Sequence, residues 1–489
     1  RFSRSSPAVG SHAQNTGRRS DFRFTALSLR WIKVRKPETA MDQDMKDALV
    51  LKYSRAVPRY TSYPTAPHFD SSVSNESYLR WLEEVPEQSP LSLYLHIPFC
   101  DSLCWFCGCH MQVVRDMRPV VAYVDLLLRE IELLAHALGS TPRPLAHLHF
   151  GGGSPCLLSP EEVARIEEAL WRHFSPLPDA EIAVEMDPRG LKEEVIQAFA
   201  RLGATRASIG VQDLNPEVQF AINRYQPFSV VADAAERLRQ AGISRLNFDL
   251  MYGLPYQTEE RVLATVERVT TLRPGRLALF GYAHVPHMKR HQRLLPEDAL
   301  PNDLERFRQS QVAANCLIGK GYRAIGLDHF ALPDDPLVQA FDRGRLQRNF
   351  QGYTVDRAEV LLGLGVSAIG TLPQGYVQNL PAVPDYRRAL EDGRLPVGRG
   401  IVISEDDRRD REIITRLMCD FRVDLEPYGG AKAFPAAMAE LAPMISDGLA
   451  SLQGDTLGVL PEGRPLVRVI AAAFDRYLDP ERHRHSKAV

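Results

Sequence analysis

From residue 91 onward, short apolar runs alternate with longer stretches whose apolar positions recur every three or four residues. The short runs predict strands over 92–97, 146–150, 181–186, 206–211, 245–251 and 276–282. The longer stretches predict amphipathic helices over 120–138, 160–174, 191–202, 229–241, 259–272 and 304–320. Local punctuation agrees with this alternation. Ser159-Pro160-Glu161-Glu162 supplies a capping hydroxyl, a proline suited to the first helical position and a glutamate that completes a capping box. Leu202-Gly203 and Ala241-Gly242 read as helix stops. Six βα repeats imply a parallel sheet, open or closed into a barrel.

The polar residues help to choose between these. Alternate side chains of a strand share a face, so Tyr94 goes with His96, Ala183 with Glu185 and Asp187, Ser208 with Gly210 and Gln212, and Asn247 with Asp249. Each set gathers at the C-terminal end of its strand, where barrel enzymes build their sites. An open sheet would concentrate polar residues at one switch point. The expectation is therefore an α/β fold, a partial (β/α)6-type parallel barrel over 91–330. Before it, 41–90 carries the Pro- and Tyr-rich stretch Pro58-Arg59-Tyr60-Thr61-Ser62-Tyr63-Pro64-Thr65. After it, 331–403 completes and connects the barrel, and 404–489 reads as a mainly helical C-terminal domain.

Composition narrows the class. The chain of 489 residues is 44% hydrophobic and 25% charged, ordinary for a globular protein. A net charge of −2 gives no general attraction to nucleic acid, and no apolar run predicts a membrane span. Residues 1–40 differ: they are rich in Arg and Ser, with Asp21 the single acid before Pro37. They read as an organelle transit peptide or as a disordered, non-native upstream extension, with Met41 or Met45 a natural start. The compartment expected is the cytoplasm, or an organelle if that peptide is genuine.

Seven cysteines are an odd number, and four of them fall between positions 100 and 109. That crowding suits metal binding in a reducing compartment better than a disulfide framework. Cys100-x3-Cys104-x2-Cys107 follows the first strand directly. Three thiolates on one short loop can each hold one iron of a [4Fe-4S] cubane. The fourth iron is then open to chelate the amino and carboxylate groups of S-adenosylmethionine (SAM). An electron from such a cluster cleaves the sulfonium to a 5′-deoxyadenosyl radical. A structural zinc site, or cysteines that merely pack together, are the alternatives; zinc knuckles usually bring a second Cys pair or spaced histidines. Gly151-Gly152-Gly153-Ser154 after the second strand lets backbone approach a ligand, and Glu185 ends the third strand, in reach of a ribose or an amine. Cys109 has no assigned role, and Cys156, Cys316 and Cys419 read as small buried hydrophobes.

Longer motifs carry a resemblance. Leu93-Tyr94-Leu95-His96-Ile97-Pro98-Phe99-Cys100, with Cys104, Phe106, Cys107, Gly108 and Cys109, resembles the oxygen-independent coproporphyrinogen III oxidases, radical SAM enzymes of haem biosynthesis. Gly210-Val211-Gln212-Asp213, Asp249-Leu250-Met251-Tyr252-Gly253-Leu254-Pro255 and Arg348-Asn349-Phe350-Gln351-Gly352-Tyr353 extend it. The resemblance implies oxidative decarboxylation of two propionates of coproporphyrinogen III to vinyls, giving protoporphyrinogen IX. It implies two SAM molecules. Tyr94, Gly152, Glu185 and Ile369 would contact the cluster-bound one; Phe106, Gly153, Ser154, Gln212, Arg224, Asp249 and Ala283 would contact the other. It also implies a reducing donor such as flavodoxin or ferredoxin, and a monomer. The substrate is a tetra-anion, so Arg59, Tyr60, Tyr63, Arg348 and Tyr353 are its candidate contacts, with 41–90 a substrate-site segment.

The sequence departs from the family pattern at Trp105 (usually Tyr), His110 (Asn), Val114 (Thr) and Ser154 (Thr), and at none of the three cluster cysteines. Two relatives compete with the enzyme: a haem chaperone that keeps the three cysteines, and a radical enzyme that opens the haem ring. Gly108-Cys109 stands where the chaperone carries an Asp-Phe-like pair.

Overall fold

All six predicted strands form. They are β1 Leu91–Ile97, β2 Arg143–Gly152, β3 Phe174–Met186, β4 Arg206–Gln212, β5 Arg245–Tyr252 and β6 Arg276–Gly281. The computed structural model describes residues 41–139 and 141–479; the extension 1–40 and its expected character lie outside them. The six strands pair in parallel and in sequence order. The crossover helices are α1 Arg118–Leu138, α2 Pro160–His173, α3 Glu193–Leu202, α4 Phe228–Gln240 and α5 Glu259–Thr270, and α6 Asp303–Gly319 follows β6. The cap at Ser159 is the expected box: its Oγ accepts the Glu162 N–H at 3.3 Å, and Glu162 accepts the Ser159 N–H at 2.6 Å. Such a cap contributes about 1 kcal/mol to the start of α2.

Further strands extend the parallel set at both edges. Beyond β6 lie β7 Arg323–Ile325 and β8 His329–Ala331, with β8 antiparallel to β6. Beyond β1 lie β9 Val360–Leu364, which is parallel to it, and then the antiparallel β10 Ile369–Leu372, β11 Gly375–Asn379 and β12 Val397–Val402. The result is a 12-stranded sheet with β12 and β7 at its two edges, an α/β partial barrel that does not close.

Curvature shows in what the concave face encloses. One space of about 160 Å³ is lined by His147 and His149 of β2, Glu181 and Glu185 of β3, Arg206 and Ser208 of β4, Asn247 and Asp249 of β5, Phe280 of β6 and His329 of β8. Strands from β2 to β8 face a common interior. The alternate residues point the other way: Leu91, Leu93, Leu95 and Ile97 are fully buried beneath the helices, in one core with Val124, Leu127 and Ile131 of α1. Period-2 alternation thus separates a greasy outer face from a polar inner one.

The described residues from 43 to 479 belong to one compact unit. Within it, Val50, Val57, Tyr60 and Tyr63 share a core with Ile413, Leu417 and Met418 of helix α7 (Glu405–Asp420) and with Leu441, Leu457 and Ile470. The stretch before the barrel therefore packs on the stretch after it. That C-terminal region, expected to be mainly helical, also carries a three-stranded antiparallel sheet of Arg422–Asp424, Ala450–Gln453 and Thr456–Val459.

Candidate active site

The cysteine loop leaves the C-terminal end of β1 and is tied at both ends. Phe99–Cys100 pairs in parallel with Gln112–Val113. On one flank the Trp105 N–H donates to the Ile222 carbonyl at 3.0 Å and Asn223 Nδ2 to that of Leu103 at 2.7 Å. On the other, His291 Nε2 donates to the Cys107 carbonyl at 2.7 Å, Lys289 Nζ to that of Cys109 at 2.8 Å and Gln292 Nε2 to that of Phe106 at 3.1 Å. Cys100, Cys104 and Cys107 all line a cavity of about 680 Å³ at the mouth of the barrel.

Two guanidiniums stand beside the sulfur of Cys104. Arg189 Nη2 and Arg224 Nη1 each lie 3.5 Å from Cys104 Sγ. The same two groups hold Asp187 Oδ2, at 2.7 and 3.0 Å. Burial works to raise the Asp187 carboxyl, but Arg224 and Arg189 outweigh it and keep it ionised. Two guanidiniums on one carboxylate leave a positive surplus facing the sulfur. Burial, with the neighbouring Cys107 and Cys104, pushes the Cys100 thiol up to about 12. Three thiols crowded here ionise together only against added positive charge, as bound iron supplies.

The glycine run meets this loop. A Cβ on Gly153 would stand 2.5 Å from the Phe99 carbonyl oxygen, so no other residue lets the two loops approach this closely. Gly152 lies at φ +112, with its N–H donating to Glu185 Oε2 at 3.0 Å. Burial works against ionised Glu185, but His149, 3.1 Å from Oε1, and the Gly152 N–H hold its carboxyl below the ordinary range. Tyr94 stacks on His149 and donates to His96 Nδ1 at 3.0 Å, because His96 Nε2 is spent on the His110 carbonyl at 2.8 Å.

Asp249 behaves differently. Burial raises its carboxyl to about 6, although Ser208 Oγ and Asn247 Nδ2 both donate to it at 2.8 Å. Gln212 sits at φ +65, and its buried Oε1 has no hydrogen-bond partner. Arg224 Nη2 donates to the Gly210 carbonyl at 2.7 Å. Phe106, Gly152, Gly153, Glu185, Gln212, Arg224, Asp249 and Ala283 all line the cavity. Tyr94 and the buried Ser154 are not among its lining residues. Ile369 is not either: it sits on β10 beside Tyr376 and Phe69.

The opposite wall is basic. Arg59 Nη2 donates to the Gly281 carbonyl at 2.8 Å, and Arg348 Nη2 to the Arg59 carbonyl at 3.2 Å. The Arg348 guanidinium carbon lies over the Tyr353 ring, 4.4 Å from its centroid. Its buried Nη1 has no hydrogen-bond partner and stands 3.9 Å from Asp328 Oδ1. Burial alone would raise the Asp328 carboxyl, but Arg348, His329 and Arg59 bring it down to about 2. Arg59, Arg348 and Asp328 line the cavity. The three candidate tyrosines are engaged elsewhere. Tyr60 donates to Asp475 at 3.0 Å, and Tyr63 accepts the Arg476 N–H at 3.0 Å. Tyr353 donates to the Met418 carbonyl at 2.8 Å and so supports Arg348 from beneath.

Arg189, Asp328, His149 and Gln292 entered the site without a sequence signal strong enough to name them. Arg189 could have been found from Asp187-Pro188-Arg189, a charged pair on the turn leaving β3. Asp328 belongs to an antiparallel edge that the βα rhythm does not announce.

The donor set fits a cubane. A [4Fe-4S] cluster takes one thiolate per iron, and three cysteines on one loop serve three irons and leave the fourth open. Among the described residues no three His, Cys, Asp or Glu side chains group as a single metal ion would require. The glycine cradle and the partnerless Gln212 Oε1 offer a polar ligand room in the cavity that the three cysteines line.

A parallel partial barrel with this loop at its mouth defines a class, the radical SAM proteins, and residues 94–269 match the sequence model of the Radical SAM superfamily. An oxygen-independent coproporphyrinogen III oxidase of Bradyrhizobium diazoefficiens is 48% identical over 451 residues, 91% of this chain and 100% of that protein. The protein of the same name from Escherichia coli is 39% identical over 437 residues, 88% of this chain and 95% of its own length. The solved structure of the E. coli coproporphyrinogen III oxidase, titled a radical SAM enzyme, superposes with a TM-score of 0.83 at 38% identity, covering 88% of this chain and 99% of that one. The chain belongs to the oxygen-independent coproporphyrinogen III oxidase family.

Proposed function

We propose that this chain oxidatively decarboxylates two propionates of coproporphyrinogen III to vinyls, giving protoporphyrinogen IX without oxygen, in haem biosynthesis. One observation carries the reading: three cysteines on the loop after β1 share a single cavity with a buried arginine pair on the opposite wall. The family supports the rest. When bound, the [4Fe-4S] cluster and SAM supply the carbon radical that abstracts hydrogen from the propionate.

The chain's own residues do the remaining work. Cys100, Cys104 and Cys107 hold the cluster, and Arg189 with Arg224 stabilises the charge on Cys104. The Gly152–Gly153 backbone and ionised Glu185 take the amino end of the cluster-bound SAM, with Tyr94 and His149 fixing Glu185. Gln212, Asp249, Arg224, Phe106 and Ala283 take the second SAM; Arg224 can fork onto its carboxylate, and Asp249 accepts from ribose hydroxyls. Ser154 and Ile369 act on SAM through the backbone and packing around it. Arg59 and Arg348 take the carboxylates of the substrate, a tetra-anion. Tyr353 positions Arg348, and Tyr60 and Tyr63 anchor the strand of chain that carries Arg59.

All seven cysteines are free, which supports a reducing compartment such as the cytoplasm, with a reducing protein such as flavodoxin or ferredoxin as donor. Among the described residues no helix is long and apolar enough to cross a membrane. The test is anaerobic: reconstitute the cluster, add reductant, SAM and coproporphyrinogen III, and follow protoporphyrinogen IX together with 5′-deoxyadenosine. SAM cleavage without vinyl product, accompanied by tight haem binding, would instead identify a chaperone.

A further inference from the structure

Four carboxylates line the cavity: Glu185, Asp187, Asp249 and Asp328. Three of them are answered by the chain. Asp187 holds Arg189 and Arg224, Glu185 takes His149 and the Gly152 N–H, and Asp249 takes Ser208 and Asn247. Asp328 differs in place and in partners. It stands on the arginine wall, where the proposed substrate brings four carboxylates of its own.

Its position is fixed from several sides. Asp328 sits in the turn between β7 and β8, where Gly326 lies at φ +58. A Cβ on Gly326 would collide with the Tyr353 ring, so the turn closes directly on that ring. The Leu279 N–H of β6 donates to the Asp328 carbonyl at 2.7 Å, and the Leu327 N–H donates to the Tyr353 hydroxyl at 3.0 Å. His329 Nδ1 donates to Asp328 Oδ1 at 2.7 Å. Arg348 Nη1 stands 3.9 Å from the same oxygen, beyond hydrogen-bond length. Oδ2 accepts no hydrogen bond among the described residues. The side chain is only 11% exposed, and Arg348, His329 and Arg59 keep it ionised. A nearly buried, charged carboxylate thus lines the cavity with one oxygen uncommitted, which is costly unless a donor reaches it.

A carboxylate repels a tetra-anion unless that anion also brings donors. A porphyrinogen brings four, the N–H groups of its pyrrole rings. They lie at the centre of the macrocycle while the carboxylates lie on its periphery, and the molecule has no other polar group. The arginine wall offers a matching set, with cations for the periphery and one fixed anion for the centre. Phe280, edge-on to His329, and Phe350, two positions from Arg348, also line the cavity and suit the faces of pyrrole rings. We propose that Asp328 is a specificity-determining residue whose uncommitted oxygen accepts from pyrrole N–H groups, so that the site reads the reduced, metal-free macrocycle as well as its propionates. The inference rests on the substrate proposed above. A square-planar metalloporphyrin with the same carboxylates has no N–H to give and meets Asp328 as a repulsive charge.

The test compares two ligands that carry the same four carboxylates, on the reconstituted protein and without oxygen. One is coproporphyrinogen III. The other is nickel(II) coproporphyrin III, which has no N–H and whose metal binds axial oxygen weakly. In D328N the dissociation constant for coproporphyrinogen III should rise by roughly tenfold or more, the loss of hydrogen bonds to a charged acceptor. That for the nickel compound should fall a few-fold, because the arginine pair no longer faces a carboxylate of the chain. D328E keeps the charge beside Arg348 and His329 but moves the oxygens by one methylene. It should weaken coproporphyrinogen III binding and leave the nickel compound as in wild type, and it carries the test if D328N loses the cluster's visible absorbance. An equal change for both ligands overturns the proposal, since Asp328 would then do no more than position Arg348. Unchanged coproporphyrinogen III binding in D328N overturns it too. A wild type that fails to bind coproporphyrinogen III would instead strike the proposed substrate, and this proposal with it.

Discussion

Two walls of one cavity share the same charge arithmetic. On the cysteine wall, Arg189 and Arg224 hold the single carboxylate of Asp187. On the facing wall, Arg59 and Arg348 flank the single carboxylate of Asp328. Each wall therefore keeps a surplus positive charge in a buried setting, where an uncompensated charge is costly. The difference lies in what answers it. The first surplus meets Cys104 Sγ at 3.5 Å, so a sulfur of the chain itself faces it. The second meets no sulfur and leaves Arg348 Nη1 without a hydrogen-bond partner, 3.9 Å from Asp328 Oδ1. Under the proposed function the first wall holds the cofactor and the second takes the substrate.

Breaking the cysteine wall should cost most. C104S should lose the cluster's visible absorbance after reconstitution and with it all SAM cleavage. C109S, outside the ligand set, should retain that absorbance. G153A comes next: its Cβ would meet the Phe99 carbonyl at 2.5 Å, which forces the glycine and cysteine loops apart. SAM affinity measured by equilibrium dialysis should fall by at least tenfold, with the chain still folded by circular dichroism.

On the opposite wall R348A should weaken substrate binding by about 10- to 100-fold, the loss of a charged hydrogen bond worth about 1.5–3 kcal/mol. Substrate-independent SAM cleavage should be unchanged. R348K should recover only part of the binding, because lysine lacks the guanidinium fork that lies over Tyr353. If R348A instead abolished SAM cleavage, the division of labour between the two walls would fail.

The smallest effect is a matter of pH. Asp249 titrates near 6 because it is buried, so it gains a proton as pH falls through that value, and in its proposed role it then accepts less well from ribose hydroxyls. SAM affinity should decline below pH 6 and level off above it. D249N should flatten the profile at the low-pH level.

Much of the scaffold was legible in the sequence, and the reason is periodicity. The six strands appear with offsets of a few residues, and Ser159 and Gly203 mark their helix ends as predicted. Leu93 and Leu95 turn outward and Tyr94 and His96 inward because alternation in a strand fixes the face. The cysteine loop was legible because its three cysteines lie within eight positions of one another. The facing wall was less so. Arg59 reaches Gly281, and Arg348 reaches Arg59, across more than 200 positions of chain, which no local pattern encodes. Tyr60 and Tyr63 share a motif with Arg59, yet the N-terminal segment packs on the C-terminal core and buries their rings there. Ile369 sits on β10, and the antiparallel edge that carries it breaks the βα rhythm on which the strand reading rested.

The central claim is that hydrogen is taken from a substrate held between these two walls. Coproporphyrinogen III deuterated at the propionate β-carbons tests it directly, by mass spectrometry of the 5′-deoxyadenosine released during turnover. The account predicts one deuterium transferred for each vinyl group formed, and loss of that transfer in R348A at subsaturating substrate. Vinyl product accompanied by 5′-deoxyadenosine free of deuterium would contradict it.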